Sequence, residues 1–422
     1  NLHVRVAWHE GGLWIDLSDE NWRAVRITPD GWGVVDNPPI IFRRILYQRP
    51  MRVSDESLPL DLRQWINIRS EEDCLLLTVW LVSTFIPGFP HPVVILYGPQ
   101  GSGKTTASRV LKTIADPHES EVVTVPRDPG ELAQALYRHN LVVLDNLSDL
   151  PAWISDALCR AVSGEGFEKR RLYTDADTIL FRYQRSILLN GITIVATRPD
   201  LLDRSLIIGL DRIRDVRPES ELWRELRAAL PGLRATIFKL LAKTLRIEPH
   251  VKCGSLHRMA DFSLWGYAIA EALGGRGQEF LAAYQKNIGA QHEVAIEASP
   301  VATAIVALLG EKHEWQGTPS ELLEELEKTR EELRIGPRTR GWPSQPNSLT
   351  RQLRRLKTTL EGVGIKMSEA RTGKRRILYL FREDVKNAVI TVTSRESLGA
   401  VSYTHLRAHE TRHDLVCRLL LE

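Results

Sequence analysis

Residues 92–106 read Pro-Val-Val-Ile-Leu-Tyr-Gly-Pro-Gln-Gly-Ser-Gly-Lys-Thr-Thr and contain Gly98-x-x-x-x-Gly103-Lys104-Thr105. Glycines at Gly98, Gly101 and Gly103 let a backbone curl until successive N–H groups point inward at an anion, with the positive end of a following helix behind them. The expected phosphate cradle is the whole loop: Gly98, Pro99, Gln100, Gly101, Ser102, Gly103, Lys104, Thr105 and Thr106. Lys104 would reach the β- and γ-phosphates of ATP, and the Thr105 hydroxyl would bind Mg²⁺. Forty residues on, the apolar run 141–144 delivers Asp145 and Asn146, and Asp145 is the expected second Mg²⁺ group. A third apolar run, 187–189, ends in Asn190, whose amide would orient an attacking water. Arg204, with Arg198 as the alternative, stands where oligomeric ATPases present an arginine finger to a neighbour's γ-phosphate, a surface salt bridge being the other reading of each.

Such residues need a scaffold that brings distant loops together. From Pro92 the pattern alternates strand with helix, the signature of a parallel sheet. The expected strands are 93–97, 122–125, 141–144, 186–189 and 206–210. Short apolar runs of this kind suit strands buried on both faces, with ligands at their C-terminal ends. Before them, residues 1–56 read as a β-rich module whose Trp8, Trp14, Trp22 and Trp32 either form its core or offer a base-stacking surface. Residues 57–90 read as a helical pair, 58–65 and 73–85, ended by Pro87 and Pro90.

The 422 residues, 43% apolar and 26% charged, suit a multi-domain globular chain. A net charge of +3 excludes a globally basic nucleic-acid binder and leaves local clusters to carry any such signal. The four cysteines, Cys74, Cys159, Cys253 and Cys417, have neither metal-site nor disulfide-framework spacing, and fit a reducing, cytoplasmic compartment. The longest apolar run, 75–87, is too short for a membrane span, so no membrane partner is expected. The chain opens on Asn1 inside a strand-like run, as a fragment would.

The loop, Asp145, Asn190 and Leu201-Leu-Asp-Arg204-Ser-Leu-Ile together resemble the AAA+ ATPases. The resemblance is to the superfamily-three and minichromosome-maintenance-like helicases of prophages and integrative elements, over roughly residues 1–385. It implies an α/β fold: an AAA+ P-loop NTPase core with a parallel sheet (91–213), a helical lid (214–290) and a C-terminal winged helix (296–386). Position 146 departs from the family, where hydrolytic members carry a Glu; Asn146 can orient water but cannot take its proton. Glu165 is the expected substitute, or else hydrolysis is slow. The resemblance places Arg258 as a lid residue on the nucleotide, an ordinary surface arginine being the other reading. It also offers 164–183, with Lys169, Arg170 and Arg171, as a channel hairpin, a solvated basic turn being the equal alternative.

In the last module, helices at 301–309, 319–333 and 348–360 precede two strands around Arg371-Thr-Gly-Lys374-Arg375, the order of a winged helix. Arg351, Arg354 and Arg355 segregate from Leu349, Leu353, Leu356 and Leu360 at helical spacing. With Lys374, Arg375 and Arg376 they form the expected DNA surface, against the alternative of a protein-docking wing. Residues 401–411 and 414–421 back-translate into a transposon-end sequencing adapter and its flow-cell primer. They resemble assembly contamination, in preference to a metal-binding helix bearing His405, His409 and His413.

The sequence therefore points to an ATP- and Mg²⁺-dependent DNA motor, a homo-oligomeric, hexamer-like ring helicase for replication or mobilisation of a mobile element. The rival is a DNA-bound ATP switch, a regulator or loader with slow hydrolysis. A small-molecule kinase would not need the basic C-terminal module.

Overall fold

The computed structural model describes residues 3–147, 150–165, 167–170, 178–181, 184–192, 194, 198–252, 258–336, 339, 341–372 and 375–383. Arg171, Lys374 and the adapter-like tail lie outside the described residues.

Residues 3–35 alternate apolar and polar and form an antiparallel meander, β1 (Val6–His9), β2 (Gly12–Asp16), β3 (Ala24–Thr28) and β4 (Gly31–Val35), paired in chain order. Trp14 is buried in it, whereas Trp8 is 38% and Trp22 59% exposed, so the four tryptophans divide between core and surface. Helix α1 (Glu71–Ser83) is capped by Ser70, whose side chain accepts from the Asp73 N–H, and carries Glu71, Glu72 and Asp73 in its first turn. It is apolar on every side and buried from Cys74 to Ser83, as a central helix must be.

Its expected partner helix at 58–65 is only a 3₁₀ turn, Leu62–Gln64. The stretch from Ser54 to Leu58 instead runs along α6 (Glu219–Ile247), with Leu58 N–H donating to Gly232 O and the Leu58 carbonyl accepting from Thr236. The same contact helps α6 run as one 29-residue helix through Pro231. Pro231 removes one intrahelical hydrogen bond, while the carbonyls of Pro231 and Gly232 gain partners from Ser54 and Leu58. A Cβ at Gly232 would lie 2.6 Å from Leu58 Cγ.

The core is a parallel sheet in the order β10 (Ser205–Gly209), β5 (Val93–Tyr97), β9 (Ser186–Gly191), β6 (Leu141–Leu147). Its strands are buried on both faces, between α2 (Lys104–Ala115), α3 (Pro129–Arg138) and α4 (Ala152–Ser163) and the helices α1, α7 (Ala260–Ala272) and α8 (Gly277–Glu297). The strand expected at 122–125 is reduced to a single parallel bridge, Val123 to Leu144. Pro126 has no N–H with which to continue that ladder. Between α4 and β9 lies an antiparallel hairpin of β7 (Phe167–Arg170) and β8 (Thr178–Phe181). The short helix α5 (Pro199–Leu202) leads into β10.

The C-terminal unit packs α9 (Pro300–Lys312), α10 (Pro319–Glu332) and α11 (Pro346–Gly362) on a sheet ordered β11 (Glu314–Gly317), β13 (Arg375–Arg382), β12 (Ile365–Thr372). Leu349, Leu353, Leu356 and Leu360 turn inward in its separate core. Thr318 and Glu321 form a reciprocal capping box at the start of α10, and β11 is a strand the sequence pattern does not announce.

A buried ion cluster joins the N-terminal sheet to the back of α2. Asp116 accepts from Arg5 Nε (3.2 Å), Lys112 Nζ (2.6 Å) and the backbone N–H groups of Asn140 and Leu141 at the entrance to β6. Lys112 also donates to the Leu141 carbonyl (2.6 Å) and His139 Nδ1 (3.1 Å). The cations beside it hold the Asp116 carboxyl far below the ordinary range against its burial. Burial, with Lys112 adjacent, lowers His139 to about 3 and His118 to about 4. Both imidazoles are neutral in the folded chain below pH 6.5, where the unfolded chain takes up protons, so stability falls as pH drops from 6.5 toward 4. Urea midpoints at pH 7 and pH 5 are expected to show this loss. His139→Gln should remove up to about 1.4 kcal/mol of it per pH unit.

Candidate functional site

All four parallel strands end on one edge, and the phosphate-loop candidates gather there. The turn after β5 passes so close to β10 that a Cβ at Gly98 would lie 2.4 Å from Leu210 O. Gly101 (φ +79°) and Gly103 (φ +74°) occupy the left-handed region, and Gly103 opens α2 with Lys104 as its first residue. Lys104 Nζ lies across the loop, donating to Gly98 O (2.8 Å), Pro99 O (2.9 Å) and Ser102 Oγ (3.3 Å). Burial lowers its pKa, and the nearby Asp145 charge opposes that shift.

Thr105 Oγ1 donates to Asp145 Oδ1 at 3.0 Å, so the two expected metal groups touch across the gap from α2 to β6. Both are hard oxygen donors, the kind Mg²⁺ takes in small number while keeping waters and phosphate oxygens for the rest. The β6 ladder breaks between Leu144 and Leu147, and Asn146 sits at φ +56°. Asn tolerates that conformation better than Glu does. Its N–H donates to Asn190 Oδ1 (2.9 Å), Asn190 Nδ2 donates to Ser108 Oγ (2.8 Å), and Ser108 donates to Lys104 O (2.9 Å). Asn190 is 1% exposed, so it braces Asn146 against α2 rather than facing open solvent. Ser108, which the sequence reading missed, is the link, one helical turn beyond Lys104.

Also missed are the neighbours of the loop. A cavity of about 790 Å³ lies beside it, walled by Trp65, Ser102, Gly103, Thr106, Arg212 and Ile213. Ile213 N–H donates to Gly101 O (3.0 Å), and Arg212 Nε lies 3.9 Å from where a Gly101 Cβ would stand. The only sequence signal was the dense charge of Asp211-Arg-Ile-Arg-Asp-Val-Arg217 just after a strand.

Other expected residues lie elsewhere. Ser205 pairs with Val93 and Gly209 with Tyr97, so Arg204 precedes β10 at the sheet's opposite end, roughly 16 Å away at about 3.3 Å per residue. Arg204 donates to Asp200 O (2.8 Å), and Arg198 pairs with Asp156 (2.9 Å). Arg258 is corrected: it binds Asp203 Oδ2 (2.9 Å) beside Arg204 and does not meet the glycine loop. Glu165 is corrected for the same reason. The α4 helix runs back from the β6 end, and Gly164 at its close abuts Gln184 before β9, which leaves Glu165 at the far edge.

Lys169 and Arg170 lie on β7 and Arg375 on β13. Arg351, Arg354 and Arg355 are exposed on α11, opposite its leucines. Arg354 is bound to Glu369 of β12 (3.2 and 3.3 Å), and Arg376 stands 3.6 Å from the same carboxylate. The hydrogen bonds from Arg354 hold Glu369 below the usual carboxylate range.

A parallel sheet whose C-terminal edge carries a glycine loop, a lysine and a threonine–aspartate contact defines a mixed α/β protein built around one composite edge site. A family model described as the actinomycete integrative conjugative element replication protein matches residues 60–291, and its RepA C-terminal domain matches 301–394. The chain belongs to that family. Among solved structures it is similar to SCCmec type IV Cch, titled an active helicase, at 12% identity and TM-score 0.46, covering 90% of this chain and 79% of that one. It is also similar to the apo NrS-1 C terminal region, at 15% identity and TM-score 0.39, covering 82% of each. No curated protein matches.

Two substitutions test the geometry. Gly98→Ala must displace the Leu210 carbonyl and should cost about 1–3 kcal/mol of stability, read from denaturant midpoints. Asn146→Gly should be close to neutral, whereas Asn146→Val should cost about 1–2 kcal/mol because a β-branched residue resists φ +56°.

Proposed function

We propose that this replication protein is an ATP-driven DNA motor, a ring helicase or translocase acting on the element's DNA. The observation that carries the reading is the contact of Thr105 with Asp145 directly beside the Lys104 loop. On this reading the loop N–H groups and Lys104 bind the β- and γ-phosphates. Thr105 and Asp145 hold Mg²⁺, which would neutralise phosphate charge, and the nucleoside lies in the cavity against Trp65 and Ile213. Asn146, fixed by Asn190, presents its amide to water.

Arg204 cannot serve its own loop, because the parallel register puts a strand's length between them. It therefore serves the loop of an adjoining subunit, which requires a homo-oligomer, hexamer-like in the resemblance that suggested it. The hairpin with Lys169 and Arg170 follows the strand in the channel. The C-terminal unit acts as a winged helix, with Arg351 and Arg355 of α11 on duplex phosphates and Arg354 shared with Glu369.

The slow ATP switch is the second reading, and one observation favours it. Position 146 has no carboxylate, and Glu165 stands at the wrong edge to replace it. Strand displacement decides between the two. The motor predicts ATP-dependent unwinding that falls roughly 100-fold or more in Lys104→Ala, while nucleotide-dependent DNA binding without unwinding would establish the switch. Mixing is the test of the shared site. Lys104→Ala and Arg204→Ala chains, each inactive alone, should regain ATPase activity together, because some interfaces then join an intact loop to an intact arginine. Failure to regain it would remove Arg204 from the reaction.

A further inference from the structure

At the edge opposite the phosphate loop, a groove of about 820 Å³ runs between the N-terminal sheet and the core. Its lining comes from β1, the turn after α1, the end of α3 and the entries to β6 and β9. Among the described residues that line it there is no Asp or Glu, whereas Arg43 and Arg185 both do. Burial lowers the pKa of His3, and that of His91 to about 4, so the arginines carry the groove's charge at neutral pH.

The Arg43 guanidinium lies 3.4 Å from the centroid of the Tyr137 ring and donates through one amine to the Tyr137 carbonyl. Its Nε is buried without a hydrogen-bond partner, so the ring and the carbonyl, not a carboxylate, hold this guanidinium in place. Trp8, 38% exposed, adds a second aromatic surface. Gly164 and Gln184, one on each side of the β7–β8 hairpin in sequence, line the same groove, so it begins where the hairpin carrying Lys169 and Arg170 leaves the core.

We propose that this groove binds single-stranded nucleic acid, with phosphates on Arg43 and Arg185 and bases against Trp8 and the Arg43–Tyr137 stack. Fixed cations interleaved with flat π surfaces are what a strand with unpaired bases recognises, and such contacts tolerate any sequence. An acidic peptide would leave the aromatic faces unused, and the two arginines would repel a basic one. The inference rests on the DNA reading above and adds a path for the strand that leaves the hairpin.

Fluorescence anisotropy of the full chain tests it, with a labelled oligothymidylate of about 20 nucleotides, long enough for the groove and hairpin together, and with a labelled duplex. Arg43→Ala should weaken single-strand binding about tenfold and reduce the salt slope by about 0.7, one phosphate contact, with duplex binding unchanged. Arg351→Ala should do the reverse. Photocrosslinking of a 5-iodouracil oligonucleotide to the unsubstituted chain keeps the test independent of any folding defect, and adducts should map to Trp8 or Tyr137. Arg43→Ala curves that overlay the wild type, or adducts confined to 346–382, would overturn the groove and leave the DNA reading standing. Loss of all oligonucleotide binding by the wild-type chain would sink both.

Discussion

The direction shared by four buried strands constrains everything else in this protein. Because β10, β5, β9 and β6 run parallel, every C-terminal end lies on one edge and every N-terminal end on the other. The glycine loop, Asp145, Asn190 and the 210–213 turn therefore converge, although 115 positions separate the first from the last. The same polarity drives Arg204 and Glu165 to the opposite edge. One register gathers the loop, Asp145 and Asn190 on one edge and keeps Arg204 and Glu165 on the other.

Behind the loop, the packing is unusually polar for a core. Arg5, Lys112, Asp116 and Arg234 are all buried, and Arg234 donates to the carbonyls of Ile114, Thr113 and Arg52. Isolated buried charges of this kind would be untenable; here each cation finds carboxylate or carbonyl acceptors, and Asp116 accepts from Arg5, Lys112 and two backbone N–H groups. The cluster ties the end of α2 to the entrance of β6 and to the N-terminal sheet, so the helix that starts at Lys104 is anchored at its far end. At its near end Arg109 bridges Glu121 and Glu219, joining α2 to the first turn of α6. The helix that follows the glycine loop is thereby held between the N-terminal sheet and the long helix.

The C-terminal unit uses charge differently. Its α11 helix exposes a basic face, yet Glu369 on the adjoining strand engages Arg354 and approaches Arg376. Counting residues makes the whole face available to a polyanion, whereas folding sets aside part of it to orient the helix against its own hairpin. Arg351 and Arg355 are left at the surface.

By itself the sequence determined what is local. The Gly98–Thr105 loop, the apolar runs of β5, β6, β9 and β10, the amphipathic α11 and the capping box of α10 are decided by residues a few positions apart. Backbone conformation, hydrogen-bond reach and side-chain periodicity act over that range. Tertiary structure decided the rest. Asn146 takes a left-handed backbone because Asn190 and Ser108 brace it, Leu58 stays out of a helix because α6 offers it the Gly232 carbonyl and the Thr236 hydroxyl, and Arg258 turns to Asp203, two residues before β10. None of these follows from spacing along the chain, since each partner arrives from 44 to 178 residues away. Only the packing of whole elements brings such residues within the few ångströms over which hydrogen bonds and ion pairs operate.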